Sequence, residues 1–308
     1  MSSQANDGVT RQVLVLPHLS RESSREVTQE AVAGLTAAGI EVRMLEPDAH
    51  RAAVENVVAV TEDIGALGCE LIVVFGGDGT ILRGAELARG HGIPLLGVNL
   101  GHFGFLAESE VDDLPHVIDS IVNRTYRVEE RLALEVVVTQ PDGAFQSDWA
   151  LNEVSIEKDS RVRMIEMVLA VDETPLSRWR GDGLVCATPT GSTAYSWSAG
   201  GPVVWPTVEA ILVVPLSAHS LFSRPMVIGP NNTISVQLLA NSPGGVVWSD
   251  GRREILLPPG SRVDLHRSNE PVRLARLHVA QFTRRLVNKF DLPVTGWLAK
   301  SKERGVDE

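Results

Sequence analysis

A glycine-rich segment that follows a short apolar run constrains this chain more than any other feature of its sequence. The run at positions 71–74, Leu-Ile-Val-Val, predicts a buried parallel strand, and positions 75–80 read Phe-Gly-Gly-Asp-Gly-Thr. Positions 81–89 are compatible with a helix. Glycine lets backbone N–H groups approach an anion, and a helix N-terminus favours negative charge. The order strand, glycine turn, helix therefore predicts an α/β domain with a phosphate-binding loop.

A carboxylate stands in the middle of this loop, at Asp78. Because a carboxylate repels phosphate, we expect Asp78 to accept a proton or a hydroxyl hydrogen bond, or to help hold a metal ion. The simpler interpretation is a tight strand-to-helix turn in which Asp78 or Thr80 lies near the helix cap. Three glycines in the four positions 76–79 exceed what a cap needs, which favours a binding loop.

The loop differs from two common phosphate motifs. A Walker loop needs a lysine directly after its last glycine, and no glycine cluster in this chain has one. The dinucleotide fingerprint Gly-x-Gly-x-x-Gly, read from Gly77, meets Leu82 where its third glycine should stand. The segment resembles instead the Gly-Gly-Asp-Gly-Thr signature shared by NAD kinases, diacylglycerol kinases and sphingosine kinases, of which six-phosphofructokinases carry a shorter relative. That resemblance implies phosphoryl transfer to a hydroxyl group.

Composition narrows the class of protein and its partners. A chain of 308 residues is long enough for two domains, and a net charge of −11 argues against general binding to nucleic acid or to an anionic membrane. Cys69 and Cys186 are too far apart in sequence to indicate a zinc site or a disulfide framework. No signal peptide or membrane-spanning run is recognisable. We therefore expect a cytoplasmic protein.

The spacing of apolar runs predicts two domains. From position 12 to 130, strands and helices alternate, which indicates a doubly wound, mostly parallel sheet covered on both faces. The predicted helices there are 20–38, 51–67, 81–89 and 112–124, and the predicted strands are 13–16, 42–45, 71–75 and 94–98. From 131 to 278, strands recur at short spacing between turn clusters, which is typical of an all-β sandwich. Those strands are predicted at 132–139, 153–158, 164–171, 184–187, 210–214, 233–239, 245–248 and 263–266.

The ends of the chain carry their own predictions. A helical segment at 279–299 has one apolar face, formed by Phe282, Leu286, Val287 and Phe290. Such a face must pack on something. We expect it to return to the α/β domain or to lie in a contact between subunits. Segments 1–11 and 300–308 are predicted to be disordered.

A second segment, 180–202, concentrates glycines, hydroxyl side chains and two aromatic residues. It predicts a strand, a glycine–hydroxyl loop and a short helix that begins near Thr193. Such a segment suits close backbone approach to a ligand, although a tight crossover between strands also explains its glycines. The density of hydroxyls, with the carboxylate of Asp182 upstream, favours the ligand site.

Several runs of the second segment resemble the NAD kinase family. They are Gly-Asp-Gly at 181–183, Thr-Pro-Thr-Gly-Ser-Thr-Ala-Tyr at 188–195 and Ser-Ala-Gly-Gly-Pro at 198–202. Four further segments resemble that family: 99–106, the pair Asn152 and Glu153, the stretch 219–225 with its Arg-Pro, and the pair Asp250 and Gly251. One departure is Ala218, which stands where the family often has proline and touches no proposed chemical group.

The resemblance implies a role for each matching residue. Asp78 would be the general base, or would orient the acceptor hydroxyl. The donor phosphates would be bound by Gly76, Gly77, Gly79, Thr80 and Arg83. The NAD site would be formed by Phe105, Asn152, Glu153, Asp182, Thr193, Ala194, Tyr195, Ser198 and Asp250. Four of these have simpler alternatives. Arg83 could be a surface arginine, Phe105 a core side chain, Asn152 part of an Asx turn, and Asp250 part of a hairpin turn.

The function that the resemblance implies is an NAD kinase. It would transfer the terminal phosphoryl group of ATP, or of inorganic polyphosphate, to the 2′-hydroxyl of the adenosine ribose of NAD and produce NADP. A divalent cation such as Mg²⁺ would accompany ATP, and the chain would form a homo-oligomer, either a dimer or a tetramer. One alternative is a lipid kinase of the diacylglycerol or sphingosine type, which the charge of −11 argues against. Another is a non-catalytic NAD-binding regulator, which would lack the intact loop at Asp78.

Overall fold

The computed structural model describes residues 10–19, 22–100, 104–107, 109–110, 113–159, 163–219, 223–277 and 282–294. The chain divides into two compact units, Met1–Glu129 with Leu274–Glu308, and Glu130–Arg273. The predicted tail 300–308 and most of the segment 1–11 lie outside the described residues.

The first unit is built on a sheet whose described pairings are parallel. Its strands are β1 (Gln12–Pro17), β2 (Glu41–Leu45), β3 (Val58–Val60), β4 (Leu71–Phe75), β5 (Leu95–Asn99), β6 (Ser109–Glu110), β7 (Arg127–Arg131) and β20 (Val272–Arg276). Their order is β3-β2-β1-β4-β5-β20-β7, with β6 also paired to β5. The central strands β1 and β4 are buried almost throughout, as a parallel sheet covered on both faces requires.

Helices cover this sheet. They are α1 (Glu22–Ala37), α2 (Glu46–Ala52), α3 (Glu62–Gly65), α4 (Asp78–Ala88), α5 (Leu114–Val122) and α7 (Phe282–Phe290). Helix α1 buries Ala31, Val32 and Leu35, which share one core with the side chains of β1, β2 and β4. The predicted α/β architecture is confirmed.

The helix predicted at 51–67 is wrong. Helix α2 ends at Ala52, and the chain then reverses through Ala53 and Asn56, whose φ angles are 50° and 61°. The next residues form β3, which pairs in parallel with β2, and the short helix α3 follows. Two left-handed residues interrupt a helix, because that conformation is costly for residues with a β-carbon.

The second unit contains two six-stranded sheets, whose described pairings are antiparallel. Its strands are β8 (Leu134–Thr139), β9 (Phe145–Ala150), β10 (Glu153–Lys158), β11 (Ile165–Val171), β12 (Thr174–Gly181), β13 (Gly183–Ala187), β14 (Ile211–Leu216), β15 (Met226–Ile228), β16 (Ile234–Leu238), β17 (Gly245–Ser249), β18 (Arg253–Leu257) and β19 (Arg262–Arg267). The sheet orders are β15-β14-β13-β10-β17-β18 and β12-β11-β16-β19-β8-β9. Buried residues of both sheets form one core, so the predicted sandwich is confirmed.

Between β13 and β14 the chain forms a 3-10 turn, Thr190–Thr193, and helix α6 (Tyr195–Ser198). This irregular connection follows the central strand β13 and contains most of the second glycine-rich segment.

Helix α7 packs within the first unit, as the sequence predicts. The rings of Phe282 and Phe290 lie 6.0 and 5.8 Å from the ring of Phe105, measured between centroids. Leu286, on the same face, is only 8% exposed. The apolar face of the C-terminal helix is therefore covered by its own unit.

Two candidate binding loops and a buried carboxylate pair

The loop at 75–80 begins at the carboxyl end of β4, next to β1. From β1 the sheet extends to β2 and β3, and from β4 it extends to β5, so the strand order reverses between β1 and β4. In open α/β sheets, ligands bind in the crevice outside the carboxyl ends of the strands at such a reversal. The loop therefore lies where this architecture places a ligand.

The backbone of the loop is divided between the sheet and the helix. Gly76 donates its N–H to the carbonyl oxygen of Val98 at 2.9 Å, so this N–H is part of the sheet. Gly77 is the N-cap residue of α4, and its carbonyl oxygen accepts the N–H groups of Thr80 and Ile81 at 3.0 and 3.1 Å. The N–H groups of Asp78 and Gly79 precede these first helical bonds and have no intrahelical partner.

The outer side of the loop is open. A β-carbon added at Gly77 or at Gly79 would meet no heavy atom of the described residues within 4 Å. No contact within the described chain therefore requires glycine at these positions. Together with the N–H groups at the start of α4, this open surface suits an anion that approaches the backbone closely.

The carboxylate of Asp78 is held by the segment 104–106. Its Oδ2 accepts the N–H of Phe105 and its Oδ1 accepts the N–H of Leu106, both at 3.1 Å. A β-carbon at Gly104 would lie 2.2 Å from Oδ1, so only glycine permits this approach. Asp78 is the first residue of α4, directly after the N-cap Gly77, so it lies near the helix cap as the simpler interpretation expects, but its side chain does not cap the helix. The Asp78 carboxylate is half-buried and fixed in orientation.

Arg83 is paired with two carboxylates that the sequence analysis missed. Its guanidinium lies 2.7 Å from Glu62 Oε1 and 3.5 Å from Asp48 Oδ2. Asp48 is buried, and burial raises the pKa of its carboxyl, while Arg83 and Arg51 oppose that shift. These partners stand 21 and 35 positions away in sequence, so no local pattern reveals them. A contact between Arg83 and a donor phosphate stays a prediction.

Phe105 is half-buried, and its ring packs against Phe282 and Phe290 of α7. Its carbonyl oxygen accepts a hydrogen bond from Arg285 Nη1 at 2.6 Å. This placement agrees with the core alternative, and contact with a dinucleotide stays a prediction. Residues 101–103 of the segment 99–106 lie outside the described part of the chain.

In the second unit, the turn at 151–153 and the loop at 188–193 are joined through their backbones. Thr188 donates its N–H to Asn152 O at 2.8 Å and its Oγ1 hydroxyl to Leu151 O at 2.6 Å. Gly191 donates its N–H to Thr188 Oγ1 at 3.1 Å. Thr188 therefore anchors the loop, a role for which its sequence offered no signal beyond a hydroxyl next to proline.

Residues Thr193, Ala194, Tyr195 and Ser198 follow this anchored loop and lie at or near the surface. Tyr195 is 38% exposed, Ser198 is exposed, and Thr193 and Ala194 are half-buried. The four residues are thus close together and accessible, as a pocket lining requires.

Asp250 lies behind the 151–153 turn rather than in an open pocket. Its Oδ2 accepts the N–H of Leu151 at 2.9 Å, and its Oδ1 accepts the N–H of Asn152 at 2.7 Å and, more weakly, that of Glu153 at 3.4 Å. The side chain is 1% exposed.

Asp250 and Gly251 form the hairpin turn between β17 and β18, with φ angles of 52° and 62° and the Arg252 N–H bonded to Ser249 O at 3.0 Å, so the hairpin alternative is confirmed. The Asp250 carboxylate in addition supports the 151–153 turn, and a contact between Asp250 and a ligand stays a prediction.

Glu153 is buried next to Asp250. The pKa of the Glu153 carboxyl is raised to about 8, first by burial and then by the negative charge of Asp250, while a hydrogen bond from the Tyr195 N–H opposes the shift. Asn152 is buried as well. The turn therefore places the Asn152 amide and the Glu153 carboxyl where water is largely excluded.

Asp182 pairs with a lysine that the sequence analysis missed. Lys158 Nζ lies 2.5 Å from Asp182 Oδ1, and this hydrogen bond lowers the pKa of the aspartate carboxyl. Asp182 is half-exposed and ionised, so it can accept a hydrogen bond from a ligand.

Among the described residues, no group of three or more His, Cys, Asp and Glu side chains could hold a metal ion. No helix in the described ranges is long and apolar enough to cross a membrane. Of the stretch 219–225, residues 220–222 lie outside the described ranges.

Two family models match the chain. The model described as the ATP-NAD kinase N-terminal domain matches residues 5–126, and the model described as the ATP-NAD kinase C-terminal domain matches residues 151–277. Together they cover most of both units.

Curated relatives match over nearly the whole chain. An NAD kinase of Thermobifida fusca is 52% identical over 311 residues, which covers 97% of this chain and 95% of the relative. NAD kinase 2 of Streptomyces avermitilis is 51% identical over 290 residues, which covers 93% of this chain and 96% of the relative.

Two solved structures share the fold. Yeast NADH kinase in complex with NADH aligns with a TM-score of 0.86 at 23% identity and covers 95% of this chain and 91% of that one. An NAD kinase of Archaeoglobus fulgidus in complex with ATP aligns with a TM-score of 0.68 at 26% identity. The alignment covers 92% of this chain and 99% of that one. At 23% identity, the likeness to yeast NADH kinase supports the architecture alone.

Proposed function

Because this chain belongs to the NAD kinase family and is an NAD kinase, we propose that its two candidate loops divide the reaction between them. The loop at Asp78 binds the donor, and the surface around Asn152 and Tyr195 binds NAD. Asp78 accepts the proton of the 2′-hydroxyl of the adenosine ribose, which then attacks the terminal phosphorus of ATP. The supporting observation is the Asp78 carboxylate, held by two N–H groups beside an open helix N-terminus.

The donor phosphates lie against the start of α4. The N–H groups of Asp78 and Gly79 precede the first helical bonds, and the space outside Gly77 and Gly79 is open. Gly76 shapes the turn but does not donate, since its N–H is bonded to Val98. Thr80 and Arg83 complete this side, and Arg83 contributes positive charge in spite of its pairing with Glu62. Phosphoryl transfer needs such positioning and charge compensation more than covalent chemistry.

NAD lies against the second unit. Asn152 and Glu153 hold the adenosine, the adenine pocket is lined by Thr193, Ala194, Tyr195 and Ser198, Asp182 accepts a hydrogen bond from the nicotinamide amide, and Phe105 packs along the dinucleotide. Asp250 acts from behind this surface, because both of its carboxylate oxygens are occupied by backbone N–H groups.

A divalent cation such as Mg²⁺ accompanies the donor and neutralises its phosphate charge. The described residues offer no three-ligand cluster, so the cation is bound largely by donor oxygens and water, as is usual for Mg²⁺. ATP is the donor in this proposal, and inorganic polyphosphate is the alternative. The protein acts in the cytoplasm as a homo-oligomer, a dimer or a tetramer, without nucleic-acid or membrane partners.

One assay with controls tests this proposal. Purified protein with NAD and Mg-ATP should produce NADP, detected by an NADP-specific dehydrogenase. Excess EDTA should abolish the signal, and added Mg²⁺ should restore it. Polyphosphate in place of ATP tests the alternative donor, and diacylglycerol or sphingosine in place of NAD tests for lipid kinase activity. Full activity in EDTA, or phosphorylation of lipid but not of NAD, would contradict the proposal.

A further inference from the structure

One carboxyl oxygen of Glu153 has no partner in the part of the chain that the structure describes. The residue is 7% exposed, and its Oε2 is buried without a hydrogen bond among the described residues. The Glu153 carboxyl also interacts with the backbone N–H of Tyr195. A buried ionised carboxylate with an unpartnered oxygen is costly, whereas a neutral carboxyl can offer a proton to an incoming acceptor.

Asp250, the neighbouring buried carboxyl, has the opposite environment. It accepts the N–H groups of Leu151 and Asn152 at 2.9 and 2.7 Å, and the guanidinium of Arg253 lies 3.8 Å from its Oδ2. Burial raises the pKa of Asp250, but these donors favour its charged form. The carboxyl groups are adjacent, since Asp250 Oδ1 accepts the Glu153 N–H and Asp250 donates its own N–H to Glu153 O at 2.9 Å. If one of the two is neutral, the hydrogen bonds assign the charge to Asp250 and the proton to Glu153.

The other titratable groups around Glu153 do not reverse this assignment. From helix α6, Tyr195 has a pKa raised by burial, so its hydroxyl is neutral. From β18, Arg253 lies against Asp250 and Asp148, with its Nε 3.0 Å from Asp148 Oδ1. On β10 itself, Glu157 is occupied by the hydroxyl of Ser155 at 2.6 Å.

We propose that Glu153 is a neutral carboxylic acid in the free enzyme at neutral pH, kept so by the ionised positioning residue Asp250, and that its carboxyl donates a hydrogen bond to an acceptor atom of the bound adenosine. This inference rests on the proposed NAD site and adds to it the protonation state of the Glu153 carboxyl. NAD binding then requires the protonated form of the enzyme. Above the pKa of Glu153, which lies at about 8, binding must take up a proton from solvent.

Calorimetry of NAD binding to the full chain measures this proton directly. Titrations at pH 7 and pH 9 are run in two buffers that differ in ionisation enthalpy, without donor. We expect little proton uptake at pH 7 and about one proton per site at pH 9, with the dissociation constant rising about tenfold per pH unit above the pKa. Binding without proton uptake at pH 9 would overturn the proposal, and this measurement needs no variant.

Three variants assign the proton to Glu153. In Glu153→Gln the side chain cannot ionise but its amide can still donate, so affinity stays within several-fold of the wild type at pH 7 and becomes independent of pH, and proton uptake disappears. In Asp250→Asn the nearby negative charge is lost, so the pKa of Glu153 falls and the weakening of NAD binding begins at a lower pH. Glu157→Gln, a matched change two residues along the same strand, keeps the wild-type uptake. Proton uptake that persists in Glu153→Gln contradicts the assignment. So does an Asp250→Asn variant in which NAD binding weakens at the same pH as in the wild type.

Folding and the proposed function are controlled separately. Thermal unfolding shows whether each variant is folded, and the NADP assay shows whether bound NAD is phosphorylated. An enzyme that binds and phosphorylates NAD without proton uptake retains the proposed function and refutes only this inference. A protein that takes up the proton but forms no NADP refutes the catalytic proposal alone.

Discussion

A β-carbon added to Gly191 would lie 2.0 Å from the carbonyl oxygen of Asn152, so the two backbones touch directly. The N–H of Thr188 is bonded to that same carbonyl oxygen at 2.8 Å. The glycine–hydroxyl loop and the Asn152–Glu153 turn therefore hold each other in position. A change in either one moves the other.

Gly191→Ala should damage NAD binding and stability together. The new methyl group cannot fit against the Asn152 carbonyl, and such overpacking costs about 1–3 kcal/mol. We expect a lower unfolding temperature and a KM for NAD raised at least about tenfold, which corresponds to about 1.4 kcal/mol. A variant with wild-type stability and wild-type KM for NAD would show that the contact is not needed.

Gly79→Ala should have the opposite pattern, which makes it a matched comparison. Its β-carbon meets no atom within 4 Å in the part of the chain that the structure describes, and alanine in a helix is favoured over glycine by up to about 1 kcal/mol. Stability should be unchanged or slightly higher, while the methyl group occupies the space proposed for the donor phosphates and raises the KM for ATP. Unchanged ATP kinetics in a folded variant would place the donor elsewhere.

Asp78→Asn should remove most of the turnover and leave NAD affinity within a few-fold. The amide is nearly isosteric and can still accept from one of the N–H groups of Phe105 and Leu106, but it cannot accept the proton of the hydroxyl. Loss of a general base typically costs about 100- to 10,000-fold in rate. Steady-state turnover and calorimetric NAD binding measure the two quantities.

The control for this substitution is Asp142→Asn. Asp142 also accepts a backbone N–H, that of Ala144 at 2.9 Å, but it lies in an exposed turn of the second unit without a proposed role. It should retain wild-type turnover. If Asp78→Asn keeps more than about a tenth of that turnover, Asp78 is not the base.

Leu286→Ala should destabilise the first unit. Leu286 is 8% exposed on the face of α7 whose aromatic rings contact Phe105, and removal of a buried leucine side chain costs about 2–5 kcal/mol. Thr283→Ala, on the exposed side of the same helix, is the control and should change stability by less than about 0.5 kcal/mol. Urea unfolding measures both, and equal effects would mean that the face is not a packing surface.

The strands show how far sequence patterns reach. The eight interior strands of the two sandwich sheets were all predicted, while the four edge strands β9, β12, β15 and β18 were all missed. An interior strand has a hydrogen-bonded neighbour along each of its two edges, and its apolar pattern can be recognised in the sequence. An edge strand such as β9, with Phe145, Gln146 and Ser147 exposed, has a mixed pattern that resembles a loop.

Strand β20 was missed for a different reason. It is short, and it pairs with β5, where Leu274 lies opposite Leu95. A parallel pairing between segments so far apart in sequence leaves no local signal, since it depends on the whole intervening chain having folded.

The sequence alone determined the α/β and sandwich architecture, the loop around Asp78, the accessible residues around Tyr195 and the family, because periodicity and short motifs are local properties. Only the tertiary structure decided that Arg83 faces Glu62 and Asp48, that Asp182 pairs with Lys158, and that Asp250 supports a turn. The Asp250 carboxylate binds backbone groups 98 and 99 positions away. The charge state and the role of a buried group depend on which donors surround it, and those donors come together only when the chain folds.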